Sequence, residues 1–388
     1  MIALIIILIA VVIFVQIRSM ENPLKGIEFD YRSTKLLVEP EEEFDIITTV
    51  TNTKRRFVPF IKLDQAFPKE LLIKGVKPTI TSDARGYNRY IRTLYIMPRS
   101  KYIKRETAAL PARGRYILQG AYLRGGDFMG FSDQLKKYHI LREVVVYPKA
   151  VPTGEIEMVM GGIMGDISVR RLVIEDPILV VGFREYSGRE PMKAISWNHS
   201  ARVGKLMVKQ FDYTIDPAIS VILDVESKGH EGRVSSLRSE IDATAAQGDS
   251  EKKEFAFSTA RTVCQTLEDR GMKYDFLTNA TVADSFTRWS YLPESIGSQH
   301  FSTIMEGLGR ATHNHVESLT SLSENFVQKR LYDRFVILIT IKDRADTAKD
   351  ISYIESNNGG KVFVISAGEH FPGGDKTDES GILSETAV

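Results

Sequence analysis

The spacing of apolar and polar positions divides the chain into three regions with different patterns. Residues 2–17 carry no charge and include thirteen Ile, Leu, Val or Phe side chains. From 27 to 148, short runs rich in β-branched and aromatic residues are separated by Pro, Gly and Asn, which predicts strands. From 217 to 370, apolar runs of the kind found in parallel sheets alternate with helical patterns. The pattern therefore predicts an α+β multidomain protein.

The apolar run at the start predicts a transmembrane anchor over residues 1–17. A helix of this length is about 26 Å long, close to the roughly 30 Å of a hydrocarbon core. A cleaved signal peptide is the alternative, but no basic residue precedes the run and no small-residue cleavage site follows it. Because Arg18, Lys25, Arg32 and Lys35 all follow the run, the positive-inside rule places the rest of the chain in the cytoplasm. We expect a single-pass plasma-membrane protein that contacts the lipid bilayer through residues 1–17.

The soluble part is predicted to contain two folded domains and a connection. Residues 27–148 are expected to form an immunoglobulin-like β-sandwich, with strands at 44–52, 90–97, 116–122 and 141–147. Residues 149–216 form the connecting region. Residues 217–370 are expected to form a three-layer α/β domain, with strands at 218–225, 273–277, 334–341 and 361–366, and helices near 251–270, 299–316 and 344–356. The tail 371–388 lacks apolar residues and is predicted to be disordered.

Charge and cysteine content exclude several classes of function. The 388 residues include 51 Lys or Arg and 50 Asp or Glu, so the net charge is close to zero and no overall positive field attracts nucleic acid. Nucleic acid is therefore not expected as a partner. The single cysteine excludes an internal disulfide and a zinc site with several thiolates. Cys264 shares one helical face with Ala256, Ala260 and Leu267, which predicts a buried structural thiol.

The stretch 184–202 is the most distinctive part of the sequence. It reads REYSGREPMKAISWNHSAR, and from Arg184 to Lys209 six cations face only two acids. One interpretation is structural: Tyr186, Ile195 and Trp197 pack under a loop, and the two Glu residues pair with nearby Arg. The other is a docking surface for a partner protein, or for anionic lipid headgroups. The candidate interaction residues are Arg184, Tyr186, Glu190, Lys193, Trp197, Ser200 and Arg202.

The spacing of this stretch resembles the bacterial family called domain of unknown function 58. Its motif, R-x-Y-x-x-G-D-x-x-R-x-I-x-W-x-x-S-A-R, is matched in register by Arg184, Tyr186, Ile195, Trp197, Ser200, Ala201 and Arg202. Arg189 and Glu190 replace the Gly-Asp pair, and Lys193 replaces an Arg. Upstream, residues 114–116 and 127–131 are similar to the family's R-G-R-Y and D-P-F-G-L segments. The resemblance implies a von Willebrand factor A-like domain after the motif, and an adaptor role beside a MoxR-type AAA+ ATPase.

Strand-end carboxylates are the candidates for a metal site. Asp224 ends an apolar run and Asp343 closely follows another, and ligands of open α/β sheets bind beyond such ends. The resemblance implies a D-x-S-x-S metal motif here, but Glu226 and Lys228 stand at the two Ser positions. We therefore expect a metal-free site and no cofactor, with a Mg²⁺ cluster of Asp224, Glu226 and Asp343 as the alternative.

No motif for nucleotide hydrolysis or nucleophilic catalysis is present. Neither a G-x-S-x-G elbow nor a P-loop occurs in the sequence. The expected function is a membrane-anchored, non-catalytic interaction or adaptor protein. The alternative is a Mg²⁺-dependent ligand-binding protein or hydrolase that uses the three strand-end carboxylates.

Overall fold

The computed structural model describes a large part of the chain. The described residues are Ile7, 23–81, 86–126, 133–151, 161, 162, 165, 180–188, 190–211, 219–227, 240–283, 290–329 and 334–367. Contacts group the chain into two compact units. The first contains Met1–Lys149, Val282–Asp284 and Met305–Thr312, and the second contains Ala150–Thr281, Ser285–Ile304 and His313–Val388.

The first unit is built from eleven described strands in three sheets. One four-stranded sheet has the order β1-β3-β7-β5, a second has the order β10-β9-β4-β6, and a three-stranded sheet has the order β2-β11-β8. The strands are β1 Ile27–Ser33, β2 Leu37–Val38, β3 Phe44–Asn52, β4 Val58–Pro68, β5 Leu72–Ile73, β6 Tyr87–Ile96, β7 Lys101–Ala109, β8 Gly114–Leu118, β9 Ala121–Gly126, β10 Asp133–Tyr138 and β11 Arg142–Val146.

Alternation of side chains explains how these strands make a core. In β3, every second residue from Phe44 to Asn52 is buried, as expected for a strand with one covered face. The inward residues of β1, β3, β4, β6 and β9 belong to one apolar cluster, which includes the fully buried Ile61, Leu63 and Phe67. The two four-stranded sheets therefore share a single core, as in a β-sandwich. The predicted run 116–122 is split into β8 and β9.

The second unit contains a five-stranded sheet and most of the helical residues. The sheet order is β17-β15-β14-β19-β20, in which β17 alone is antiparallel to its neighbour. The further strands are β12 Val180–Glu185, β13 Met207–Phe211, β14 Ile219–Asp224, β15 Tyr274–Thr278, β16 Ala280–Val282, β17 Tyr291–Ser295, β18 Ala311–His315, β19 Phe335–Thr340 and β20 Val362–Ser366. The helices are α1 Trp197–Val203, α2 Glu240–Asp269, α3 Ser298–Arg310, α4 Leu319–Gln328 and α5 Arg344–Asn358. The end of β16, the second half of α3 and the start of β18 belong to the first unit.

Burial explains the sheet and its longest helix. Every residue of β14 and of β19 is buried, as in strands covered on both faces. Helix α2 begins eleven residues before the predicted start at 251 and buries a stripe that includes Cys264, so the prediction of a buried thiol is confirmed. Burial also raises the pKa of this thiol. The helix ends before Gly271, whose φ of +67° suits glycine.

The membrane prediction is corrected by the structure. Among the described residues, no helix is long and apolar enough to cross a bilayer. The predicted anchor at 1–17 lies outside the described residues, apart from Ile7. No helix in the described part of the chain supports the predicted single-pass plasma-membrane location or the predicted bilayer partner, and these predictions are withdrawn. The predicted tail 371–388 also lies outside the described residues.

The predicted fold class is also wrong in its balance. The described residues form twenty strands and five α-helices, so the protein is mostly β. Helices occur near all three predicted positions after 217, so the helical patterns are not the cause. The prediction omitted many strands, such as β1, β4 and β7, and it took β8 and β9 as one run.

Candidate interaction surface

The stretch 184–202 lies in a small substructure of the second unit. Strands β12 and β13 pair antiparallel, with Arg184 opposite Val208 and Glu185 opposite Met207. Between them the chain forms a 3-10 turn at Met192–Ala194 and then helix α1. The helix ends at Gly204, whose φ of +76° is left-handed and whose N–H donates to the Ser200 carbonyl. The sequence motif is therefore a compact strand–turn–helix–strand element.

Ser200 fastens helix α1 to strand β13. Its buried hydroxyl donates to the Ser196 carbonyl at 2.8 Å and accepts from the Met207 N–H at 2.8 Å. The Ser196 N–H donates in turn to the Met207 carbonyl at 2.9 Å. Ile195 is buried and forms a β-bridge with Val208. Ser200 and Ile195 of the motif therefore have structural roles.

Both acids of the stretch are held by neighbouring groups. Glu190 pairs with Arg184 at 2.6 Å and accepts hydrogen bonds from the Ser187 N–H and hydroxyl. The Ser187 hydroxyl, followed by the backbone N–H groups and Arg184, lowers the pKa of Glu190 to about 2. Glu185 pairs with Lys205 at 2.6 Å. The structural interpretation is thus correct for Glu190, whereas Glu185 pairs with a lysine and not with an arginine. Arg189, which precedes Glu190 in this turn, lies outside the described residues.

The aromatic part of that interpretation is wrong for Trp197. Its side chain is 61% exposed, whereas Ile195 is 6% exposed and Tyr186 lies half-buried. At 100° per residue, Trp197, Asn198, Ala201 and Arg202 share the face of α1 opposite Ser200. All four are exposed. We call these four residues, with Met192 and Lys193 of the preceding turn, the motif surface.

The motif surface is apolar and cationic. Met192 is 67% exposed, so two large apolar side chains face solvent. Lys193 and Arg202 form no ion pair with another residue in the described ranges. Because Glu185 and Glu190 are already paired, no described acid of the stretch is left to neutralise these two cations.

The predicted metal residues take up a different arrangement. Asp224 is fully buried, and its carboxylate accepts from Asn279 at 2.6 Å, from Thr340 at 2.8 Å and from the Glu226 N–H at 3.0 Å. Burial raises the pKa of Asp224, although the hydrogen bonds from these donors act in the opposite direction and lower it. Asp343 is an exposed residue at the N-cap of α5. The structure thus brings together Asp224 and Glu226 through a backbone bond, and it places Asp343 at the start of a helix.

A lysine supplies the positive charge beside Glu226. Lys342 Nζ lies 2.6 Å from Glu226 Oε2, which also accepts from the Leu319 N–H at 2.7 Å. Although burial would raise the pKa of Glu226, Lys342 and the Leu319 N–H lower it overall. Within the described residues, no group of three or more His, Cys, Asp or Glu side chains could hold a metal ion. These side chains therefore do not fit a divalent cation, because Asp224 is enclosed by donors and an ammonium group neutralises Glu226.

The sequence prediction missed a second cationic surface, in the first unit. Strand β7 exposes Lys101, Ile103, Lys104 and Arg105, with Ile103 62% exposed. The alternation of Lys101, Ile103 and Arg105 in the sequence was the only available indication. It does not reveal which strand edge lies open, because that depends on pairing with distant residues.

Comparison with known proteins yields only distant structural likenesses. No family model matches the chain, and no curated protein matches it. The CARDB domain of a Pyrococcus furiosus protein, crystallised with di-metal ions, covers 31% of this chain and 86% of its own, at 14% identity and a TM-score of 0.22. A cohesin module of a Clostridium perfringens family 33 glycoside hydrolase is similar over 31% of this chain and 96% of its own length, at 12% identity and a TM-score of 0.23. A segment of Escherichia coli alpha-2-macroglobulin is similar over 32% of this chain and 17% of its own length, at 14% identity and a TM-score of 0.24.

The correction of the fold class rests on the strands and helices of the described residues and not on these similarities. The predicted von Willebrand factor A-like assignment is withdrawn with the fold class. At such TM-scores the similar structures carry no argument about activity, and the family resemblance seen in the motif stays a prediction.

Proposed function

We propose that this chain is a non-catalytic interaction protein that binds a partner protein through the motif surface. The observation that carries the proposal is the outward face of α1. It presents a largely exposed Trp197 beside Arg202, and the acids of the stretch are already paired. Trp and Arg are the residues that most often dominate binding energy at protein interfaces. An exposed Trp on a rigid helix also loses little conformational entropy when it binds.

The chemistry of the surface defines the partner. Trp197 and Met192 require an apolar pocket, and Lys193 and Arg202 require acidic groups at its rim. The motif's resemblance to the domain of unknown function 58 family suggests a MoxR-type AAA+ ATPase as the first partner to test. This chain would then act as an adaptor that the ATPase recognises. The metal-dependent alternative is not proposed, because Lys342 neutralises Glu226 and hydrogen-bond donors enclose Asp224.

Binding of the full chain to the MoxR-type ATPase of the same organism tests the proposal. Calorimetry should detect a complex, and Trp197→Ala should weaken it by about thirtyfold, the loss of a hot-spot residue. Arg202→Glu should also weaken binding, with a larger effect at low salt. Tyr353→Ala is the matched control, since Tyr353 is a 41% exposed aromatic on α5. The adaptor proposal fails if the wild type shows no association at low salt, or if Trp197→Ala binds as tightly as Tyr353→Ala.

A further inference from the structure

One edge of the first unit is open over six residues. In the order β1-β3-β7-β5, strand β3 pairs with β7 from Lys101 to Ala108, and β5 pairs only with Ala108 and Ala109. The Thr107 carbonyl accepts from the Lys74 N–H. Residues 101–106 therefore have no partner strand among the described residues on the side away from β3. Alternate N–H and C=O groups of this run point outward, as in any edge strand.

The side chains along this edge alternate in a defined way. Lys101, Ile103 and Arg105 lie opposite Thr51, Thr49 and Ile47 of β3, on the face turned away from the core. Tyr102 packs against the core from the other face. The exposed Ile103 therefore lies between Lys101 and Arg105 on the same face of the strand, and each of these cations is two residues away from it.

Few acids offset these cations. Arg105 lies 3.7 Å from Asp45 and is 69% exposed. Lys101 and Lys104 form no ion pair with another residue in the described ranges. No Asp or Glu occurs between 46 and 63 or between 86 and 105. Among the exposed side chains of residues 101–105 three are cationic and none is acidic, so β7 itself is a source of positive field; Glu28 and Asp30 lie on the same face of the sheet, two strands away.

Two loops beside the start of β7 extend this field. Asn52 donates to the Met97 carbonyl at 3.0 Å and to the Arg56 carbonyl at 2.8 Å, and the Arg99 N–H donates to the Lys54 carbonyl at 2.9 Å. These bonds hold the loop after β3 against the loop before β7. Arg99 has a φ of +50°, a strained conformation for a residue with a Cβ. The loops are therefore fixed in place, and they bring further cations to the end of the open edge.

The open backbone groups identify the kind of ligand. A row of alternating N–H and C=O groups is complementary to another polypeptide strand, whereas nucleic acid offers no matching row. Lysines on an edge also protect against aggregation, because a second copy of this edge would place like charges opposite each other. Protection alone does not require an exposed Ile103 between the cations. The combination favours a strand of opposite charge with one apolar side chain.

We propose that residues 101–106 of β7 accept an extended acidic segment of a partner protein, which adds a strand to the sheet. Its carboxylates pair with Lys101 and Arg105, and its apolar side chain packs on Ile103. The segment therefore has the pattern acidic–x–apolar–x–acidic. This site lies on the first unit and does not depend on the motif surface.

Peptide binding to the full chain tests this edge. The probe is a fluorescein-labelled peptide with Glu-Thr-Val-Thr-Glu at its centre, and the comparison peptide has Lys in place of both Glu. Fluorescence anisotropy should show binding of the acidic peptide alone. The double variant Lys101→Glu/Arg105→Glu should weaken it at least about tenfold, because both cross-strand ion pairs become repulsive. Arg270→Glu/Lys349→Glu carries the same change of charge on two exposed positions of the second unit, one in the turn after α2 and one on α5, and it should bind as the wild type does.

Further measurements separate strand addition from general attraction. Amide hydrogen exchange at residues 101–106 should slow when the acidic peptide binds, because outward N–H groups become hydrogen-bonded. The outward N–H and C=O groups of β7 belong to Lys101, Ile103 and Arg105, because the Thr107 carbonyl accepts from the Lys74 N–H on the same side. In an antiparallel added strand the Glu and Val of the probe face these groups, so N-methylation of the central Val should abolish binding and N-methylation of the two Thr should weaken it far less. Equal binding by both peptides, unchanged exchange at 101–106, or equal loss in the control double variant would overturn the proposal. So would preferential binding of a single-stranded oligonucleotide at this edge, or a dimer of the wild type that Ile103→Asn dissociates.

Discussion

The buried carboxylate of Asp275 makes a quantitative prediction about pH. Asp275 is fully buried in β15 and pairs with Arg334 at 3.0 Å, and Arg334 also pairs with Glu294 at 2.5 Å. Burial raises the pKa of Asp275 from 3.8 to about 6, although Arg334 lowers it. The ionised carboxylate is therefore less favourable in the folded state than in the unfolded chain.

The direction of the pH effect follows from this difference. Between about pH 4 and 6 the folded state holds a proton on Asp275 that the unfolded state has lost. The stabilisation from this proton is fully present below the pKa that Asp275 has in the unfolded chain. It disappears as the pH rises through the pKa that Asp275 has in the folded state. A difference of roughly two pKa units corresponds to about 3 kcal/mol. From pH 4 to pH 7, most of this amount should be lost.

Asp275→Asn isolates the effect, because the amide cannot ionise. The free energy of unfolding should be measured by urea denaturation at several pH values for the wild type and the variant. The wild-type value minus the variant value should fall by about 2 kcal/mol between pH 4 and pH 7. Asn357→Ala, at an exposed amide of α5 that cannot ionise, is the control and should show no such change. A difference between wild type and Asp275→Asn that is constant with pH would refute the reasoning.

Two further variants test the local structure of the candidate sites. Ser200→Ala removes the acceptor of the Met207 N–H, so amide exchange there should accelerate and the free energy of unfolding should fall by about 1–3 kcal/mol; unchanged exchange would contradict the role given to the hydroxyl. Lys342→Met should destabilise the protein by about 1–2 kcal/mol, because it leaves the half-buried Glu226 without its ammonium partner. Adding Glu226→Gln should recover most of that loss in a double-mutant cycle, and no recovery would show that the ion pair is not the cause.

The two proposed surfaces would allow one chain to hold two kinds of partner. The motif surface offers an exposed Trp197 on a short helix, which suits an apolar pocket. The open edge of β7 offers backbone groups and cations, which suit an extended acidic strand. Since the two surfaces belong to different units, variants of one should not alter binding at the other.

Several features followed from the sequence because they depend on local pattern. The continuous apolar run of β14 predicted a strand of the kind buried in a parallel sheet, and a strand was also predicted at β19; both are present and fully buried. Cys264 was predicted to be buried from its spacing along one helical face. The ends of elements were less predictable, since α2 begins well before the expected residue. A polar start to a helix gives no hydrophobic period to detect.

Other features depend on contacts between distant positions, which only the tertiary structure decides. Lys342 and Glu226 are 116 residues apart, and no local pattern pairs them. Trp197 is exposed because Ser200 turns the opposite face of α1 toward β13, whereas its aromatic character alone suggested burial. The open edge of β7 exists because β5 pairs with only its last two residues. Sequence by itself thus determined the strands with the clearest apolar pattern and which residues carry charge, but it missed other strands, β7 among them. Long-range pairing decided which charges are neutralised and which remain available to a partner.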